Sequence, residues 1–144
     1  MDVAAALRRL LATTHDVENA LANRLGLGVT DVVALQHLVD HPDVGPVDLA
    51  TVLRIRSASA TALVDRLEAA GHLSRTPHPT DRRRVRLAPT ESATAEVVGA
   101  LAPLLGAIAA LVDGLTPDEQ VTVERFLLGA TEAMRSFAAS SVES

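Results

Sequence analysis

Across residues 46–88 the hydrophobic period changes once, at Gly71, and that change constrains the fold more than any other feature of the chain. Before it, Leu49, Ala50 and Leu53, then Leu63, Val64 and Leu67, recur at helical spacing. Gly45-Pro46 opens the first of these helices, because proline's fixed φ suits a first helical position and its missing N–H is no loss there. Arg54-Ile55-Arg56 supplies a turn, and Ser57 or Ser59 caps the second helix, which runs to Gly71. After Gly71, His72-Leu73-Ser74-Arg75-Thr76 reads as a short strand and Pro77-His78-Pro79-Thr80-Asp81 as a turn. Arg84-Val85-Arg86-Leu87-Ala88 alternates as a half-exposed strand does, with Arg84 and Arg86 on one face and Val85 and Leu87 on the other. Two helices across a tight turn, followed by a hairpin, make a winged helix-turn-helix.

The flanks are helical. Val3, Leu7, Leu10, Leu11, Val17, Leu21 and Leu25 keep helical spacing until Gly26 and Gly28 end the helix. Thr30 is the expected N-cap of the next, whose apolar face is Val32, Val33, Leu35, Leu38 and Val39 and which His41-Pro42 stops. From Thr90 onward Val97, Leu101, Leu104, Leu105, Ile108, Leu111 and Val112 define a long helix that Pro103 should kink and Gly114 ends. Thr116-Pro117-Asp118-Glu119 is a capping box for a last helix, lined by Val123, Phe126, Leu127, Ala130, Met134 and Phe137. The fold class is therefore mainly α with a small β-hairpin wing. Its 144 residues suit one domain, and a core with only Phe126 and Phe137 as aromatics suits helix-on-helix packing.

Charge is segregated. Every basic residue is an arginine, and residues 54–86 hold eight of them against three acids, whereas the rest of the chain holds five against fifteen. A basic segment inside a chain of net charge −5 points to an acidic partner met at one place. The chain has no cysteine, which excludes disulfides and thiolate chemistry. No nucleophile elbow, phosphate-binding glycine loop or HExxH occurs, so the reading is not an enzyme, and no cofactor is expected. His37 and His41 share a helix face, but without a third ligand a solvated or core-edge histidine pair is the reading, and no metal is expected. The start lacks a signal-peptide pattern, and Leu101 to Val112 reads as too short to span a bilayer, so a cytoplasmic protein without a membrane partner is expected.

The element order and the local motifs resemble the MarR family. Asp48-Leu49-Ala50-Thr51-Val52-Leu53 looks like its first helix of the helix-turn-helix, and residues 60–71, ATALVDRLEAAG, like its recognition helix and closing glycine. Residues 81–90, DRRRVRLAPT, are similar to its wing signature, ending in a threonine that caps the next helix. The resemblance implies a homodimeric, double-stranded-DNA-binding transcriptional regulator, more often a repressor, that sets two recognition helices on an inverted-repeat operator. Residues 1–25 and 90–139 would be the dimerisation helices and residues 30–88 the DNA-binding lobe.

On this resemblance the candidate DNA-binding residues are Arg54 and Arg56 in the turn; Ser57, Ala58, Ser59, Thr61, Ala62 and Arg66 on the recognition helix; and Arg75, Arg82, Arg83, Arg84 and Arg86 in the hairpin. Ser57 serves equally as a cap, and Arg66 equally as a partner of Asp65 or Glu68. Asp81 is expected to orient the wing by pairing with Arg83. A small aromatic acid effector is implied, with His15, Arg24 and His37 as its polar anchors. The rival readings are a winged-helix domain that docks an acidic protein, and a ligand-binding protein with weak DNA affinity, since Ala58, Ala60 and Ala62 leave the recognition helix poor in base-reading side chains.

Overall fold

The structure is a computed structural model and describes residues 2–140. Six helices and one antiparallel hairpin follow the order α1 Val3–Leu25, α2 Val29–Asp40, α3 Pro46–Leu53, α4 Ser57–Ala69, β1 Leu73–Pro77, β2 Val85–Pro89, α5 Glu91–Asp113 and α6 Pro117–Ser140. The chain divides into two compact units, the first ending at Ala102 and the second beginning at Pro103.

In the first unit, Asp2 accepts a hydrogen bond from the Ala4 amide at 2.9 Å to cap α1, and Gly26 ends that helix at φ 65°, where a side chain would be strained. Helix α2 starts earlier than expected. Gly28, extended at φ −70° and ψ 153°, is its N-cap and accepts the Val32 amide at 3.1 Å, so Thr30 lies within the first turn and caps nothing. Asp31, in that first turn, places a carboxylate where the helix macrodipole favours one. The α4 cap also departs from expectation. Arg56 holds the N-cap position without a side-chain bond, and Ser57 is already helical, its carbonyl accepting the Thr61 hydroxyl at 3.0 Å.

Leu35, Leu38, Leu49, Leu63, Val64, Leu67, Leu73, Leu87 and Val97 form one buried cluster, to which α2, α3, α4, both strands and the start of α5 all contribute. The strands pair from Leu73 with Pro89 to Pro77 with Val85. Leu87 is buried as alternation requires, but Val85, paired with Pro77 at the far end of the hairpin, is exposed. The Leu87 amide donates to the Val44 carbonyl at 2.8 Å, which fastens the second strand to the α2–α3 connection. A Cβ at Gly45 would come within 3.1 Å of the Val85 carbonyl, a tight approach that a side chain could make only if the strand gave by a few tenths of an ångström. Thr90 closes the hairpin: its amide donates to the His72 carbonyl, its hydroxyl to the Gly71 carbonyl, and its Oγ1 accepts the Ala93 amide to start α5.

The second unit takes the C-terminal half of α5 and all of α6. The Thr116 capping box forms as the sequence predicts, with the Thr116 amide on Glu119 Oε2 at 2.8 Å and the Glu119 amide on Thr116 Oγ1 at 3.4 Å. Those bonds hold the Glu119 carboxyl below its usual range, the amide bond contributing most. No residue of α6 is buried, and Leu104, Leu105, Ile108, Leu111, Phe126 and Leu128 are all exposed. By length and composition α5 could cross a membrane: its 23 residues extend ~35 Å, and its apolar window has a mean hydropathy of 2.1. Leu101 to Val112 alone understates that length, since Ala, Val and Gly residues before Pro103 extend the uncharged run. The first turns of α5 bury Ala93 and Val97 in the winged unit.

Asp31 is the one buried charged or polar residue among those described, at 6% exposure, and its carboxylate receives Arg66 from α4 through Nε at 3.1 Å and Nη2 at 2.5 Å. This fork fixes α4 to the start of α2 by two parallel charged hydrogen bonds. Replacing Asp31 with Ala should cost about 1–2 kcal/mol, toward the low side because the Arg66 end is solvated. A chemical-denaturation midpoint unchanged in Asp31→Ala would show that the fork does not hold the helices.

Candidate nucleic-acid interface

Helix α4 turns Ala60, Leu63, Val64 and Leu67 into the core, which leaves Ala58, Ala62 and Asp65 on the opposite side with Thr61 and Glu68 beside them. Ser57, Ala58, Ser59, Thr61 and Ala62 are all exposed at the N-terminal half of the helix. The Thr61 hydroxyl spends its proton on the Ser57 carbonyl and keeps only its acceptor capacity for a ligand.

The turn before α4 brings Arg54 and Arg56 to the surface. Arg54 ends α3 at φ 53°, a left-handed conformation unusual for a residue with a side chain. Both guanidinium groups are exposed and neither forms an ion pair among the described residues.

The wing tip is organised by two side chains. Asp81 Oδ1 accepts the Arg83 amide at 3.0 Å, and the Asp81 carbonyl accepts the Arg84 amide at 3.0 Å. The expected Asp81–Arg83 ion pair is therefore replaced by a bond to the Arg83 backbone: a two-residue Asx turn is a shorter reach than a guanidinium folding back. His78 was not foreseen. Its Nδ1 accepts the Thr80 and Asp81 amides, each at 3.3 Å, while its own amide donates to the Arg84 carbonyl. The only sequence signal for this role was its place between two prolines in the turn.

The eight arginines of the basic segment fall into two groups. Arg66 binds Asp31 rather than Asp65 or Glu68, because its position on α4 faces α2. Arg75, on β1, binds Asp65 at 2.5 Å and also Glu68. Hydrogen bonding to these carboxylates holds both guanidinium groups above their ordinary range, led by Asp31 for Arg66 and by Asp65 for Arg75. Arg84 lies 3.7 Å from Asp48, and Arg86 binds Asp43 at 2.8 Å and the Thr76 hydroxyl at 2.8 Å. Arg54, Arg56, Arg82 and Arg83 carry no such partner among the described residues. Free positive charge is thus concentrated at the helix-turn-helix turn and at the wing tip. Of the five acids that make this division, Asp31, Asp43 and Asp48 are distant in sequence from the arginines they hold, and no local pattern marks them.

The three suggested effector anchors are each engaged locally. His15 is exposed and pairs with Glu18 at 3.3 Å. Arg24 donates to the Ala100 carbonyl of α5 at 3.0 Å. His37 stacks on His41 with ring centroids 4.3 Å apart. Among the described residues no group of three or more histidines and acids could hold a metal ion.

The model of the MarR family matches residues 27–85, the span from the start of α2 to the second strand. An uncharacterized HTH-type transcriptional regulator of Bacillus subtilis (strain 168), YcgE, is 31% identical over 127 residues, covering 88% of this chain and 82% of its own. The chain belongs to the MarR family. It is a transcriptional regulator with a DNA-binding helix-turn-helix, from a family of regulators rather than enzymes. The fold agrees with that of other MarR family proteins. One from Bacillus stearothermophilus superimposes with a TM-score of 0.73 at 22% identity, covering 92% of this chain and 93% of that one. A mutant of S. aureus MepR bound to an oligodeoxyribonucleotide gives a TM-score of 0.58 at 17% identity, covering 93% and 99%.

Partial burial is the main reason that the His37 imidazole sits below its ordinary range, with the nearby His41 adding to it and Asp40 opposing. The folded state therefore takes up this proton less readily than the unfolded chain. Its contribution is complete above the ordinary histidine range, shrinks as pH falls through that range, and levels off below the lowered folded value. Urea midpoints measured from about pH 8 to about pH 5 should fall less steeply in His37→Gln than in the unsubstituted protein. Parallel pH profiles would show that His37 is not the group responsible.

Proposed function

We propose that this MarR family protein binds an inverted-repeat operator as a homodimer and represses by occupying promoter DNA. The observation that carries the reading is the division of the arginines: four are consumed by internal carboxylates, and the four left free lie in the turn before α4 and at the wing tip. Those are the two places from which a winged helix-turn-helix meets a duplex, with the α4 N-terminus in the major groove and the wing beside it. Ser57, Ser59 and Thr61 offer hydrogen bonds to base edges or phosphates, and Ala58 and Ala62 offer methyl contacts to thymine. Arg66, Arg75, Arg84 and Arg86 are each held by a carboxylate of the same chain and offer this surface less free charge. The S. aureus MepR mutant bound to an oligodeoxyribonucleotide is a precedent on the same fold.

A second copy of the chain is the partner proposed for the exposed apolar residues of α1, α5 and α6, among them Leu10, Leu105, Leu111 and Phe126. Residues 1–25 and 90–139 are then the dimerisation helices and residues 30–88 the DNA-binding lobe, working in the cytoplasm. Two-fold symmetry sets the two α4 helices roughly 34 Å apart on the duplex, one helical turn. A small aromatic acid relieves this repression, a reading that rests on the family resemblance. Its polar anchor would have to draw Arg24 off the Ala100 carbonyl or His37 out of its stack.

Fluorescence anisotropy on duplex from the protein's own upstream region, against scrambled duplex at several salt concentrations, tests the reading. Tight, salt-sensitive binding that prefers the native sequence is expected; equal and weak binding to both would favour the protein-docking alternative. Arg83→Ala should weaken binding on every sequence and lower the salt slope by about 1, whereas Ser59→Ala should change sequence preference. Arg83→Ala with an unaltered slope would remove the wing tip from the interface.

A further inference from the structure

Asp65 lies diametrically opposite the buried stripe of α4, in line with Ala58 and Ala62, and Glu68 flanks it on the side of Thr61. If that face meets a duplex, two carboxylates are carried toward a phosphate backbone that repels them. Arg75 answers both. From β1, the strand that follows α4, its Nη2 reaches Asp65 Oδ1 at 2.5 Å and its Nη1 reaches Glu68 Oε2. The guanidinium is the most enclosed member of the trio, its side chain 33% exposed against 61% for Asp65 and 40% for Glu68. A cation bridging two carboxylates has little left for a phosphate. It also occupies one Asp65 oxygen that could otherwise accept a cytosine amino group.

We propose that Arg75 is a positioning residue that acts on DNA binding without touching DNA: it neutralises Asp65 and Glu68, and so makes the outward face of α4 acceptable to a duplex. This rests on the DNA-binding reading above and goes beyond it by removing one arginine from the contact surface and giving two acids a place in the site. The carboxylates, left unanswered, act as a repulsive element that Arg75 must hold in check. The integrity of the β1–α4 corner thereby becomes a condition for affinity, since Arg75 reaches both acids only while the strand is in place.

The test uses the full chain and a labelled duplex that the unsubstituted protein binds. Arg75→Met keeps the apolar stem and removes the charge, and should weaken binding about tenfold, the scale of an uncompensated like charge at an interface. Adding Asp65→Asn and Glu68→Gln to that variant should restore affinity to within about twofold of the unsubstituted protein, because nothing is then left to neutralise. A triple variant as weak as Arg75→Met alone would overturn the proposal and make Arg75 a direct phosphate contact. Should Arg75→Met not fold, as judged by circular dichroism, Asp65→Asn/Glu68→Gln in the presence of Arg75 carries the test. That variant should bind at least as tightly as the unsubstituted protein, and a clear loss would mean that a carboxylate reads the DNA itself. A protein that binds no duplex before any substitution would overturn the DNA reading, and this proposal with it, whereas binding without rescue overturns the proposal alone.

Discussion

The hydrogen bond from the Leu87 amide to the Val44 carbonyl is what makes the wing part of the fold rather than an appendage. A two-stranded hairpin has little stability of its own in water. Here the strand carries one buried side chain, Leu87, and the same residue's amide is tied to the connection between α2 and α3. Side chain and backbone of a single residue therefore fix the hairpin's depth and register together. Arg86 adds Asp43 and Thr76 on one side, Arg84 approaches Asp48 on another, and Gly45 leaves room for the Val85 carbonyl. The tip can then hold two unpaired cations at a defined place because everything below it is already committed.

The electrostatics of the chain follow the same logic at larger scale. In a protein of net charge −5, unpaired cations are left by gathering arginine into residues 54–86 and by where carboxylates lie against it. Asp31, Asp43, Asp48, Asp65 and Glu68 each engage an arginine of the basic segment, and what they leave unpaired marks the surface. Apart from the Asp31–Arg66 fork, whose carboxylate is buried, these pairs are exposed and contribute little to stability. Their effect is on the shape of the field, since a paired guanidinium presents far less potential to a distant phosphate than an unpaired one does.

Much of the architecture could be read from residue patterns. The change of period at Gly71, the Gly45-Pro46 start, and the Thr116 to Glu119 box each encode their outcome within a few residues, and each appears as expected. Caps were less legible. Thr30 and Ser57 have the right chemistry, but Gly28 and Arg56 take the positions because an N-cap is chosen by backbone conformation first. Val85 shows the limit of alternation, which assigns a face but not whether anything lies over it. For the site, the basic segment was visible as composition, and its turn and wing were placed correctly. Which arginines are free was not visible, because the answer depends on acids up to 43 residues away in the chain. Asp81 and His78 reach backbone amides, and a list of side-chain charges holds no trace of such bonds.

Arg54 turns the chain from α3 to α4 with a left-handed backbone, the conformation in which a β-carbon costs about 1 kcal/mol. Glycine would take this corner without strain, and a protein selected for heat resistance alone would be expected to carry it. With arginine here, the corner carries one of the four arginines of the basic segment that pair with no carboxylate among the described residues. On the proposed reading, robustness and recognition compete at a single backbone angle, and improving one by substitution at this residue draws directly on the other.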